Sequence, residues 1–162
     1  MEKNKILFVM GVSGAGKSTI GNLLSQELTI PFFDGDDFHP PENIEKMTRE
    51  IPLTDDDRMP WLLKLNELAR QYQEKTGCVI ACSGLKKSYR EILAGGIENF
   101  RWIYLKGSFD QIAQRLNLRE GHFMSSRMLQ SQFDILEETE DVVSINIDLD
   151  PDQIIKTIID TC

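Results

Sequence analysis

The sequence predicts an α/β fold, a parallel sheet covered by helices on both faces and built as one domain. Two observations carry this. Apolar runs of strand length alternate with helical stretches along the chain, the order that puts a parallel sheet between helix layers. The first run, Ile6-Leu7-Phe8-Val9-Met10, leads straight into Gly11-Val12-Ser13-Gly14-Ala15-Gly16-Lys17-Ser18. That stretch fits G-x-x-x-x-G-K-[ST] at every fixed position and stands between a strand and a helix, as the motif requires. A length of 162 residues suits a single domain.

The elements follow in order. Residues 5–10 form the first strand. Residues 17–28 form a helix with Ile20, Leu23, Leu24 and Leu28 at helical spacing. Pro31-Phe32-Phe33 reads as a short strand running into Asp34-Gly35-Asp36. Pro41 opens a short helix through Arg49, because proline suits the first helical turn. Residues 50–59 read as loop. Pro60 starts the longest helix, with Trp61, Leu62, Leu65, Leu68, Ala69 and Tyr72 on one face and Gly77 at its end. Residues 78–82 are fully apolar, hence a buried strand. Residues 86–94 are helical and 101–105 form the next strand. Ser108 with Gln111 makes a capping box for a helix to about Leu118. Gly121 interrupts, and residues 126–137 are helical again. Residues 142–147 form the last strand, and Asp150 caps a final helix starting at Pro151. No repeat, low-complexity segment or linker is present.

Composition limits the function. With 41% hydrophobic and 27% charged residues the chain is ordinary globular protein. A net charge of −8 argues against nucleic acid as the main partner, while leaving room for a local basic site for small anions. No stretch approaches about 18 apolar residues, so no membrane span is expected. A cleaved signal peptide would remove the glycine motif, so none is expected. Three cysteines make no disulfide framework. Cys78 and Cys82, in one strand, stand about 13 Å apart, too far for a bond. A reducing, cytoplasmic setting follows as the expectation.

The glycine motif is a phosphate loop. Its glycines let successive N–H groups turn toward phosphate oxygens, and the helix dipole adds to the attraction. Residues Gly11, Val12, Ser13, Gly14, Ala15, Gly16, Lys17, Ser18 and Thr19 form the nucleotide site. Lys17 reaches the β- and γ-phosphates of ATP, and Ser18 holds Mg²⁺. An acceptor site belongs beyond the carboxyl ends of the strands. Asp34 ends the second strand and is the candidate to serve Mg²⁺. Asp36, two residues on, is placed to accept a proton from an attacking hydroxyl. An acidic turn that simply caps the next helix is the other reading of this pair. In Asp55-Asp56-Asp57-Arg58, the acids also suit a helix N-terminus. Arg58 offers a planar fork for a carboxylate or phosphate. After the third strand come Ser83, Lys86, Lys87 and Arg90, with Lys86 and Arg90 on one helix face. Arg115 and Arg119 end a helix before Gly121, which suits a flap closing over the transferring phosphate. Two histidines, His39 and His122, are too few for a metal site.

Taken together these stretches resemble the small gluconate kinases of the P-loop kinase superfamily. The matching segments are MGVSGAGKS, FDGDDFHP, NIEKM, PLTDDDRMPW, CSGLKKSYR, IYLKG, REGHF and ML-x-SQF-x-x-LEE, in order along almost the whole chain. The resemblance implies phosphotransfer from ATP to the 6-hydroxyl of gluconate, a five-stranded parallel sheet and a homodimer. It implies that Asp34 serves Mg²⁺, that Asp36 meets the substrate hydroxyl and that Arg115 and Arg119 are lid arginines. The lid is expected at about residues 117–126. Lys17, Asp36 and Arg119 are the expected catalytic residues. Asp36, His39, Arg58, Lys86, Arg90 and His122 are the expected acceptor contacts. Two departures stand out. Gly84 replaces the family's usual alanine, and the segment from Leu136 to Asp141 reaches the last strand without the usual proline and longer loop. A shikimate- or nucleotide-kinase-like enzyme, or an ATP-binding regulatory module, are the alternative readings.

Overall fold

The computed structural model describes residues 4–118 and 125–162. The described elements are β1 (Ile6–Met10), α1 (Lys17–Leu28), β2 (Phe32–Asp34), α2 (Pro41–Thr48), α3 (Asp55–Gln73), β3 (Cys78–Ala81), α4 (Lys87–Leu93), β4 (Phe100–Lys106), α5 (Phe109–Leu118), α6 (Ser126–Ile135), β5 (Val142–Asn146) and α7 (Pro151–Thr161). A 3₁₀ turn, Gly35–Phe38, follows β2. The five strands are all parallel, in the order β2-β3-β1-β4-β5. The expected five-stranded parallel sheet is therefore the observed one.

Strand periodicity divides the core. In β1, Leu7 and Val9 face a cluster with Ile20 and Leu24 of α1 and Ile154 and Ile158 of α7. Ile6, Phe8 and Met10 face the opposite cluster, with Trp61, Leu65 and Ala69 of α3 and Leu93 of α4. Phe8 stacks on Trp102 of β4 with ring centroids 4.3 Å apart. All of β1 and β3 is buried, as continuous apolar runs require. Because the strands are parallel, the loops leaving β1, β2 and β3 emerge together at their carboxyl ends, and the chain order reverses beside β1, where such folds bind ligands.

One boundary differs in a way that shapes the site. The longest helix starts at Asp55, one and a half turns before Pro60. Thr54 accepts the Asp57 N–H at 3.1 Å, and the Asp57 carboxylate accepts the Thr54 N–H at 2.9 Å. This reciprocal box nucleates the helix ahead of the proline. Pro60 then removes only one hydrogen-bond donor, near an exposed end. Helix α6 ends at Ile135, two residues early, because the Glu137 N–H leaves the helix to bond Leu85 O at 2.7 Å. Of the expected lid, residues 119–124 lie outside the described residues. Its flanks are α5 and Ser125, which caps α6 by accepting the Met128 N–H at 3.2 Å. No helix among the described residues is long and apolar enough to cross a membrane.

Candidate active site

The phosphate loop joins β1 to α1. Gly14 and Gly16 have φ of 86° and 94°, the left-handed region in which glycine carries no steric cost. A Cβ on Gly14 would stand 2.9 Å from the Leu116 side chain, so bulk is excluded as well as strain. Lys17 Nζ donates to Gly11 O and Val12 O at 3.0 Å each, curling back over the loop. Ser18 Oγ donates to Asp34 Oδ2 at 2.7 Å. Asp34 Oδ1 in turn accepts the Asp36 N–H at 3.0 Å. Asp34 thus reaches the phosphate loop and shapes the turn that presents Asp36. A hydroxyl beside a carboxylate is an oxygen donor pair that suits Mg²⁺. Among the described residues no group of three or more His, Cys, Asp or Glu could hold a metal, so phosphate oxygens and water would supply the remaining ligands.

Next to the loop lies a cavity of about 350 Å³. Ser13 and Lys17 of the loop line it, together with Asp36, His39, Thr54, Asp55, Arg58, Trp61, Ser83, Leu85, Lys86 and Tyr89. Helix α6 closes it with Met128, Ser131, Gln132 and Ile135. Because α3 begins at Asp55, residues 54, 55, 58 and 61 share one helix face, and that face is the cavity wall. Trp61 Nε1 donates to Gly35 O at 2.7 Å and pins the turn. The Asp36 carboxylate opens to the cavity, yet desolvation by the surrounding protein raises its pKa. Asp34 and Asp37 raise it further, while Lys17 opposes them.

His39 stacks flat on Trp61, centroids 4.2 Å apart and planes 14° off parallel. Burial, helped by the Arg58 charge, lowers its pKa to about 4, so the imidazole is neutral at neutral pH. Asn43 Nδ2 lies 3.2 Å from His39 Nδ1. An amide nitrogen only donates, so Nδ1 is assigned as acceptor and Nε2 carries the proton.

The far wall is cationic. Arg58 Nη1 donates to Leu53 O at 2.5 Å and to Tyr89 Oη at 3.0 Å. Tyr89 Oη donates to Asp55 Oδ1 at 2.5 Å, and Lys86 Nζ pairs with the same oxygen at 3.1 Å. The Tyr89 and Lys86 bonds hold the Asp55 carboxyl below its ordinary pKa, and the Asp55 bond holds Lys86 above its own. Two cations, Lys86 paired with Asp55 and Arg58 bonded to Tyr89, stand beside one carboxylate here, leaving net positive charge for an acidic acceptor.

The structure brings Ser13, Lys17, Asp36, His39, Arg58 and Lys86 to one cavity and joins Ser18 to Asp34. Thr19 is exposed in the first turn of α1. Arg115 packs behind the loop: Nη1 donates to Ala15 O at 3.3 Å and Nη2 to Ile147 O at 2.7 Å. Arg119 and His122 lie outside the described residues. Arg90 is the correction. It is 2% exposed and donates to Gly84 O, Leu85 O, Glu137 O and Thr139 Oγ1. It clamps the loop before α4 to the short segment after α6 and presents nothing to an acceptor. Gly84, at φ 51°, lets its carbonyl take part in that clamp. Among the wall residues not read as site residues from the sequence are Asp55, Trp61, Tyr89 and Gln132. The T-x-x-D spacing of Thr54 and Asp57 would have moved the helix start and exposed the face shared by Asp55 and Trp61. Gln132 stands in the ML-x-SQF segment of the resemblance, which by itself assigns it no role.

Comparison with known proteins shows the family. The shikimate kinase family model matches residues 13–162. The thermoresistant gluconokinase of Escherichia coli K12 is 47% identical, over 88% of this chain and 85% of its own. A gluconokinase of Arabidopsis thaliana is 43% identical, over 96% of this chain and 91% of its own. The crystal structure of a gluconokinase from Sinorhizobium meliloti 1021 aligns with a TM-score of 0.86 at 38% identity, over 96% of this chain and 90% of that one.

Proposed function

We infer that this chain, which belongs to the gluconokinase family of P-loop kinases, transfers the γ-phosphoryl group of ATP to the 6-hydroxyl of D-gluconate. The single observation that carries the reading is the shared cavity. Phosphate-loop residues Ser13 and Lys17 line the same space as Asp36 and the cationic wall of Arg58 and Lys86. An acidic polyol held by that wall would present a hydroxyl to Asp36 beside the phosphate loop. No observation favours a shikimate-type or nucleotide acceptor, or a non-catalytic ATP-binding module.

Each residue then has a physical task. The wall of Arg58 and Lys86 rewards the carboxylate, and Arg58 can do so with two parallel N–H groups. The neutral His39 offers its Nε2–H to a substrate oxygen. Asp36, with its raised pKa, is a stronger base than an ordinary aspartate and takes the hydroxyl proton as the phosphoryl bond forms. Lys17 offsets charge on the departing phosphates. Ser18 and Asp34 would hold Mg²⁺, which when bound shields the β- and γ-phosphate charge. Arg115, against the loop and the end of β5, belongs to the nucleotide side.

The reading extends to one P-loop kinase domain with a lid at about residues 117–126. Arg119 would close over the phosphoryl group there and His122 would join the acceptor contacts. Support comes from its flanks: α5 carries Arg115 to the loop, and α6 lines the cavity. A cytoplasmic homodimer completes the reading, the free thiols of Cys78, Cys82 and Cys162 agreeing with a reducing compartment. The test is ADP release with D-gluconate, L-idonate, shikimate, sorbitol and glucose as acceptors. Gluconate should be preferred by on the order of tenfold to a hundredfold over the neutral polyols. Equal rates with sorbitol and gluconate would refute an acid-selective site.

A further inference from the structure

We propose that Ser13 and Gln132 act as a catalytic pair, in which Gln132 is a positioning residue that turns the Ser13 hydroxyl toward the phosphoryl group in transit. The proposal rests on the phosphoryl-transfer reading above and adds two roles to it. The two residues are 119 positions apart in the chain and grip each other twice. The Ser13 N–H donates to Gln132 Oε1 at 2.8 Å. Gln132 Nε2 donates to Ser13 Oγ at 3.0 Å.

The direction of the second bond decides the chemistry. An amide nitrogen has no lone pair to offer, so Ser13 Oγ is the acceptor in it. A hydroxyl carries one proton and two lone pairs. With a lone pair turned to Nε2, the proton points away from Gln132. Ser13 shares the cavity wall with Lys17 and Asp36, the lysine of the phosphate loop and the candidate base. The hydroxyl proton is therefore available where donor oxygen, phosphoryl and acceptor oxygen meet. The first bond has a consequence too. It takes the Ser13 N–H out of the set of loop amides that face phosphate, and the side-chain hydroxyl replaces it as the donor at that point. A fixed donor aimed at developing charge lowers the barrier, because it needs no reorganisation during the reaction.

A plain staple between α6 and the phosphate loop would make the same two bonds, so the test must separate donor direction from attachment. Gln132→Glu does so. It is nearly isosteric and keeps an oxygen for the Ser13 N–H. It replaces the Nε2 donor by an acceptor, which draws the Ser13 proton away from the phosphoryl group. Gln132→Ala removes both bonds and leaves the hydroxyl free to rotate. The experiment measures kcat and KM for the wild type, the two Gln132 variants, Ser13→Ala and the double variant Ser13→Ala/Gln132→Glu, with thermal midpoints alongside.

Gln132→Glu should lower kcat by on the order of tenfold to a hundredfold, more than Gln132→Ala does, with the thermal midpoint unchanged. Ser13→Ala should lower kcat to a similar degree. In the Ser13→Ala background, Gln132→Glu should cost less than about threefold, because the hydroxyl it misdirects is gone. A full, additive loss in that background would show a through-space charge effect and overturn the proposal. So would a larger loss for Gln132→Ala than for Gln132→Glu, which is the order a staple predicts. The wild-type acceptor panel tests the gluconate reading separately, and the cycle is read on whichever acceptor the wild type phosphorylates.

Discussion

Lowering the pH should destabilise this protein through His39, and removing the imidazole should relieve the loss. The unfolded chain binds a proton on this residue below about 6.5, the folded protein only below about 4. Between those values the unfolded state holds more protons, so stability falls as the pH falls. At about pH 5 the full shift corresponds to about 2 kcal/mol. The ring is only partly buried, and solvent screening reduces the expected loss to about 1 kcal/mol. His39→Phe keeps a flat ring on Trp61 and removes the titration. It also removes the Asn43 contact, at both pH values alike, and Asn43 Nδ2 keeps its bond to Asp57 O at 2.9 Å. Urea unfolding of both proteins at about pH 7.5 and about pH 5 gives the difference of differences. The wild type should lose about 1 kcal/mol more than the variant over that interval. Equal losses would mean that the imidazole protonates freely in the folded protein, and the stacked, neutral His39 would be the wrong description.

Three further outcomes follow from the site. Asp36→Asn should lower kcat by on the order of a hundredfold or more for any acceptor, and it should raise the thermal midpoint at neutral pH. The sign comes from the raised pKa: the ionised carboxylate opposes folding there, and the neutral amide does not. A fall in midpoint would contradict the raised pKa of Asp36. Lys17→Ala should cut turnover by roughly two or more orders of magnitude in a folded protein, as circular dichroism beside the ADP assay would show. Arg58→Met should shrink the gluconate-to-sorbitol ratio by about ten- to a hundredfold, mostly through gluconate. An unchanged ratio would shift the carboxylate contact to Lys86.

Much of the fold was legible because strands and helices announce themselves by different periods. The fully apolar 78–82 run and the alternating neighbours of the phosphate loop left little choice but a parallel sheet. The start of α3 was misread because Pro60 is a loud signal and the Thr54–Asp57 box a quiet one. In the site, Lys17 and Ser18 were readable from the spacing of the phosphate loop, and Asp34 and Asp36 from the acidic turn that ends the second strand. The cations were not separable in the same way. Lys86 and Arg90 are four apart, which on a helix means a common face. But Lys86 is the residue before α4, with extended backbone at φ −94° and ψ 146°, so the two side chains diverge. One turns into the cavity and the other into the protein. The Ser13–Gln132 grip depends on tertiary folding alone, and no spacing rule reaches across it.

The Asp34 carboxylate links three events that the chain keeps apart. It ends a strand, hydrogen-bonds the first helical turn after the phosphate loop, and fixes the backbone amide of Asp36 two residues on. If Asp34 serves a divalent ion as proposed, that ion would meet a carboxylate whose second oxygen already holds the turn that carries Asp36. Ion and acceptor would sense each other through one rigid planar group. Loss of the ion, or a change in its size, should be felt as a rotation of the Asp36 turn as much as a loss of nucleotide affinity.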